Sequence, residues 1–146
     1  MTVEELLQLP TIKGLKLISG NLGVHREIST VTVIDTPDGF QWLKGNEVVI
    51  TTTYALEKTP NSFLDFISKL LSRNISALIV KSDRYIKVIP ENAKKLCDEK
   101  ALPLIYCPAI YAFADIINPT LSGIISKQAE RSEEHTSELQ SQSTIS

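Results

Sequence analysis

The stretch EVVITTTYALEKTPNSFLDFISKLLSRNISALIV, residues 47–80, decides the fold of this chain. It begins with a β-branched, apolar run at residues 47–53 and ends with another at residues 75–80. Each run has the length of a strand that is covered on both faces of a sheet. Between them, apolar residues recur at the spacing of one helix face: Phe63, Phe66, Ile67, Leu70 and Leu71. This strand-helix-strand order predicts neighbouring parallel strands joined right-handedly, with the helix on one face of the sheet.

The same order continues toward the carboxyl end. Residues 89–97 place a proline near the first turn of a predicted helix, and residues 102–107 predict another strand. Residues 112–127 predict a final apolar helix, in which Pro119 is expected to cause a kink or a break.

The first 46 residues predict shorter elements. Thr2 and Glu5 form a capping-box pattern that opens a short helix. Strands are predicted at residues 15–19 and 28–34, and the glycines of residues 20–23 allow the chain to reverse between them. The whole pattern predicts a single α/β domain with a mostly parallel or mixed sheet and helices on its faces.

The last sixteen residues, RSEEHTSELQSQSTIS at 131–146, differ in character from the rest. They look like one reading frame of a common sequencing-adapter oligonucleotide. A native tail of this polar, acidic composition would also be disordered. We expect residues 131–146 to be an artefactual, disordered tail outside the fold, and the native sequence after Glu130 to be missing.

Charge and composition exclude several classes of protein. The tail contains one arginine and three glutamates, so residues 1–130 hold 14 basic and 14 acidic residues, against 15 and 17 in the full chain. This balance gives no basic surplus for nucleic acid or an anionic membrane. The apolar runs are too short to span a bilayer, and the start is not that of a secretory signal. We expect a cytoplasmic protein in which Cys97 and Cys107 are buried free thiols.

The sequence contains no signature of catalysis. Phosphate-loop, dinucleotide, nucleophile-elbow and zinc-protease patterns are all absent. Gly20 and Gly23 form only half of a dinucleotide pattern and predict a turn instead. His25, the one histidine before the tail, is expected to be a solvated or capping residue rather than a general base. We predict no catalytic residue, no cofactor and no metal site.

Polar residues follow the predicted strands, at the edge where parallel α/β sheets bind ligands. Threonine hydroxyls can donate and accept hydrogen bonds, lysine and arginine can hold an anion, and tyrosine can stack on a planar ring. The alternative is that these threonines are ordinary strand residues and that residues 81–84 form a solvated turn. The hypothetical ligand site consists of Asp35, Thr51, Thr52, Thr53, Tyr54, Lys81 and Arg84.

One motif is similar to that of a known family. WLKGNEVVITT, residues 42–52, resembles the W-L-x-G-G-E-L-V-L-T-T stretch of the purine catabolism regulator (PucR-like) family of bacterial transcription regulators. Asn46 replaces the second glycine of that pattern, and Thr53 stands where family members commonly have glycine. Weaker matches in the same order are TVEELL at 2–7, ISAL at 75–78, LPLI at 102–105 and AFADIINP at 112–119.

This resemblance covers residues 1–128 and implies an amino-terminal regulatory domain that senses or transmits a signal. It implies a small-molecule effector, with a purine-pathway metabolite expected first. The sequence itself leaves a homodimer open as one form of assembly. DNA would be bound only through a missing carboxyl-terminal helix-turn-helix domain, which would activate genes such as those of purine breakdown.

Two other functions stay open from the sequence. The layout of the first elements is also similar to the non-catalytic front domains of HPr kinase and of Mur ligases, which precede a nucleotide-binding enzyme domain. The other alternative is a stand-alone oligomerisation domain, whose exposed apolar stripe would be formed by Phe113, Ile116, Ile117 and Ile124.

Overall fold

The computed structural model describes residues 1–36, 38–52, 62–82 and 89–143. Within these residues, one sheet is built from β1 (Lys16–Ser19), β2 (Thr30–Val33), β3 (Glu47–Thr52), β4 (Ala77–Ser82) and β5 (Leu104–Pro108). The helices are α1 (Val3–Leu7), α2 (Ser62–Ser72), α3 (Glu91–Glu99) and α4 (Phe113–Ser143). Short 3-10 turns lie at Pro10–Ile12, Asn21–Gly23 and Gly39–Trp42.

The strand order is β1-β5-β4-β3-β2, in which β2, β3, β4 and β5 are parallel and β1 is antiparallel to β5. This mixed sheet confirms the predicted α/β class. The strands before and after Gly20 do not pair with each other, since β1 and β2 form opposite edges of the sheet. The chain does reverse at residues 20–23, as predicted, because β1 runs antiparallel to β5 whereas β2 runs in the same direction as β5. The centre holds β3 and β4, whose middle residues are apolar and buried, and the more exposed β1 and β2 take the edges.

The core has two layers, one on each face of the sheet. On one face, α2 and α3 bury Phe66, Leu70 and Cys97 against the sheet. On the other face, α1 and α4 bury Leu6 and Ile116, together with the second thiol, Cys107. The two cysteines are free and fully buried, as predicted, and their positions on opposite faces keep them apart.

Helix α4 covers the second face without interruption. It continues through Pro119, where the sequence predicted a kink or a break. Packing anchors the helix on both sides of this proline, since Ile116 and Ile124 are buried. Phe113 and Ile117 are partly buried in the same layer. These four side chains therefore form no exposed stripe, and the alternative of a stand-alone oligomerisation domain built on them was wrong.

The backbone of α4 extends to Ser143 and so runs into the segment that resembles adapter sequence. The assignment of that segment as an artefact outside the fold stays a prediction.

Candidate functional site

The carboxyl ends of the parallel strands lie side by side at one edge of the sheet. Thr52, the last residue of β3, pairs in register with Lys81 of β4, and Lys81 pairs with Cys107 of β5. Parallel partners in register point to the same face, so these three side chains share the α4 face. Ile34 donates its N–H to the carbonyl of Ile50 at 2.9 Å, which brings the next residue, Asp35, to Thr52.

Asp35 and Thr52 are joined directly. Oδ1 of Asp35 accepts one hydrogen bond from the Thr52 N–H at 3.2 Å and a second from the Thr52 hydroxyl at 3.0 Å. Among the described residues, both bonds reach the same carboxylate oxygen, so Oδ2 is available to another donor. The Asp35 side chain is exposed, so a ligand can approach it.

Lys81 connects this edge to the start of α4. Its ammonium group lies 5.2 Å from the centroid of the Phe113 ring, within the range of a cation–π contact. Beside it, Asp115 accepts a 2.8 Å hydrogen bond from the N–H of Ala112 and so caps the first turn of α4. The half-buried Lys81 thus contacts the residue with which the last helix begins.

The Cys107 thiol, which lies in the same row as Thr52 and Lys81, has the properties of an unreactive thiol. Burial raises the pKa of Cys107 to about 11; the nearby charge of Lys81 opposes the rise, and that of Asp115 adds to it. A thiol held protonated in this way is a core residue rather than a nucleophile.

Thr51, which the sequence placed in the same hypothetical site, points to the opposite face. It pairs with Val80, which in turn pairs with Tyr106, and this row faces α2 and α3. Thr51 is fully buried, and its hydroxyl donates to the carbonyl of Thr52 at 3.3 Å. Strand pleating therefore separates Thr51 from Thr52 and Lys81.

The other proposed residues, Thr53, Tyr54 and Arg84, lie outside the described residues. The structure thus brings together Asp35, Thr52 and Lys81. Sequence reasoning missed Phe113 and Asp115 as neighbours of this group, because nothing local indicates that α4 begins above the end of β4.

The WLKGNEVVITT motif acts mainly as a structural clamp. Glu47 is buried, and its two carboxylate oxygens accept hydrogen bonds from the N–H groups of Lys44 at 2.6 Å and Gly45 at 2.7 Å. Gly45 and Asn46 both have positive φ, 118° and 65°. Asparagine tolerates this conformation better than most residues, which explains its presence where the family pattern has glycine. In contrast, Trp42 is 80% exposed.

The glycines of residues 20–23 form a packed turn. A Cβ on Gly20 would lie 1.9 Å from the carbonyl oxygen of Leu102, so only glycine fits. The Gly20 N–H, which an anion would need, donates to the Asp98 carboxylate at 2.7 Å. This turn therefore serves chain packing, as the sequence favoured.

The described residues also limit the kinds of site present. Within them, no three His, Cys, Asp or Glu side chains are grouped so that they could hold a metal ion. None of the helices in the described ranges combines the length and apolarity needed to cross a membrane.

Comparison with known proteins indicates the same family as the WLKGNEVVITT motif. Residues 5–124 match the purine catabolism regulatory protein-like family, PucR. The chain is also 33% identical over 125 residues to the purine catabolism regulatory protein of Bacillus subtilis (strain 168). That alignment covers 86% of this chain and 24% of the relative. The chain therefore spans about a quarter of the length of the curated relative that it matches.

Proposed function

Because the chain belongs to the PucR family of purine catabolism regulatory protein-like domains, we propose that it is a non-catalytic signal-sensing domain of a transcription regulator. Its target genes would be those of purine catabolism. DNA would be bound by a helix-turn-helix domain that follows residue 130 in the intact protein, in the cytoplasm. The match to a regulator family favours this function over that of a front domain of HPr kinase or a Mur ligase.

The effector site that we propose is the carboxyl edge of the sheet on the α4 face. The observation that carries the proposal is the alignment of Asp35, Thr52 and Lys81 across three neighbouring strands. Oδ2 of Asp35 can accept a hydrogen bond from a ring or ureide N–H, and the Lys81 ammonium can donate to a carbonyl oxygen. Purines and ureides carry both groups, so a purine-pathway metabolite fits this pair of side chains.

Helix α4 supplies the route by which binding would be transmitted. The Lys81 ammonium rests over the Phe113 ring at 5.2 Å, and an effector that binds this ammonium would compete with the ring for it. Phe113 is the first residue of α4, and Asp115 caps the same turn. A change in the Lys81 contact would therefore reach the helix that leads out of the domain.

A thermal shift experiment with a panel of purines, ureides and other small metabolites tests effector binding, because a ligand of the native state raises the melting temperature. We expect at least one purine or ureide to raise it. Thr52→Val and Lys81→Ala should abolish the rise, while Lys16→Ala, at the exposed first residue of β1, should retain it. A flat response across the panel would count against a purine sensor.

The regulator assignment has its own test in the uninterrupted gene. We expect the sequence downstream of the codon for Glu130 to encode a helix-turn-helix domain. A nucleotide-binding phosphate loop there would instead identify the front domain of an enzyme.

A further inference from the structure

Strand β2 leaves one edge of the sheet open. Within the described residues it pairs only with β3, so its other side carries unpaired backbone groups. Proteins protect such edges by keeping the strand short, or with charged side chains, proline or a bulge. Thr30–Val33 is a short strand of four residues, but it contains none of the other three devices, and both Thr30 and Val33 are exposed.

A groove of about 560 Å³ runs along this edge. The residues of β2 form its floor, and Trp42 borders it. Trp42 is 80% exposed although its turn is fixed, since the N–H of Leu43 donates to the carbonyl of Phe40 at 3.2 Å. An exposed indole on a fixed turn is the kind of side chain that dominates binding energy in protein interfaces.

The charges at the two ends of this groove are opposite. Asp35 lies at the carboxyl end of β2, and Lys44 lies at the amino end, next to Glu47, which pairs with Thr30. Asp35 and Lys44 are both exposed. The Glu47 carboxylate is occupied by the N–H groups of Lys44 and Gly45, so the amino end of the groove carries the exposed positive charge of Lys44.

We propose that two copies of the chain associate through β2, with the two strands antiparallel about a two-fold axis. In this arrangement the amino end of one strand faces the carboxyl end of the other. Lys44 of each copy then lies opposite Asp35 of the second copy, so the charges match twice. The uncharged middle of β2 brings no like charges together, and the two sheets become one.

A second copy of the chain is the partner that this surface fits best. In a two-fold dimer the same surface of both copies forms the interface, so that surface must complement itself. Strand β2 with its flanking Asp35 and Lys44 meets this requirement. The interface shares Asp35 with the proposed effector site, whereas Trp42 and Lys44 belong to the interface alone, so variants of these two residues test the association separately from effector binding.

Sedimentation velocity of the 146-residue chain across a concentration series up to roughly 100 µM measures this association. We expect a dimer, and we expect Trp42→Ala to raise its dissociation constant roughly tenfold or more. Lys44→Glu should raise the constant by a similar factor, because it places two carboxylates opposite each other. Leu22→Ala is the matched control, since Leu22 is 72% exposed and follows β1 at the far edge of the sheet.

The double variant Lys44→Glu/Asp35→Lys reverses both charges and should restore the dimer that Lys44→Glu weakens. A chain that stays monomeric at every concentration would overturn the proposal. So would a dimer that Trp42→Ala and Lys44→Glu leave intact, or one that Leu22→Ala weakens as strongly as they do.

Discussion

Thr52 donates two hydrogen bonds to a single oxygen of Asp35, one from its backbone N–H and one from its hydroxyl. The two residues lie at the carboxyl ends of neighbouring parallel strands, which in α/β proteins is where ligands bind. The carboxylate is thus held in place by one oxygen and presents the other. This arrangement orients Asp35 without a ligand, which would lower the entropic cost of binding an effector at the proposed site.

Replacing Glu47 tests the clamp in the WLKGNEVVITT motif. Glu47→Ala removes the acceptor of two short backbone hydrogen bonds, from Lys44 and Gly45, and leaves both donors without it. We expect the free energy of unfolding, measured by urea denaturation, to fall by about 2–3 kcal/mol. Glu99→Ala, at an exposed helix end, should change it by less than about 0.5 kcal/mol. Equal effects of the two variants would remove Glu47 from this role.

Replacing Asn46 tests whether the backbone at this position of the motif is left-handed. Its φ of 65° is left-handed, a conformation that costs most residues energy but costs glycine none. Asn46→Gly should therefore leave the stability nearly unchanged, while Asn46→Ala should lower it by about 1 kcal/mol. Asn92→Ala, at an exposed position in α3, is the control for losing the amide itself. A tolerated alanine at position 46 would contradict the assigned conformation.

The pH dependence of stability should contain a contribution from Glu5. Hydrogen bonds from Thr2, then the Lys127 ammonium at 3.1 Å, lower the pKa of Glu5 from 4.5 to about 2. A lowered pKa stabilises the fold above the unfolded value, and this stabilisation is lost as the pH falls from about 4.5 through about 2. Solvent screening of this exposed pair should limit the effect to about 1 kcal/mol.

Glu5→Gln isolates this effect, because it removes the charge while keeping a side chain that can form the capping box. Urea denaturation at pH 6 should show the wild type more stable than Glu5→Gln. The difference should be mostly lost near pH 2. A difference that is the same at both pH values would show that the carboxylate charge plays no part.

The thiols provide a measure of core integrity. Burial is the main cause that raises the pKa of Cys97 to about 12 and of Cys107 to about 11. We expect neither to react with a thiol reagent at pH 8 in the native state, and both to react once urea unfolds the chain. Rapid labelling of one thiol in the native protein would show that its face of the sheet opens.

The centre of the fold could be predicted from the sequence because β3 and β4 are apolar on both faces. Their burial fixes them as inner strands whatever the loops do. The positions of β1 and β2 could not be predicted in this way. Turn residues such as Gly20 allow a reversal, but they do not specify which strand becomes the neighbour.

The order of the strands also predicted three residues of the candidate site. The ends of β2, β3 and β4 indicated Asp35, Thr52 and Lys81, which the structure brings to one edge on one face. Pleating could have separated Thr51 from Thr52 at once, since successive strand residues face opposite ways. The contact of Lys81 with Phe113 depends on the packing of a distant helix, which no local pattern encodes.

The central claim is that Asp35, Thr52 and Lys81 form the effector site of a regulatory domain. Isothermal titration of the best purine or ureide from the panel into the wild type and Lys81→Ala tests it most directly. We predict that Lys81→Ala weakens the affinity roughly tenfold or more, while Lys16→Ala binds as the wild type does. Equal affinity in the wild type and Lys81→Ala, or no binding of any such compound, would contradict the claim.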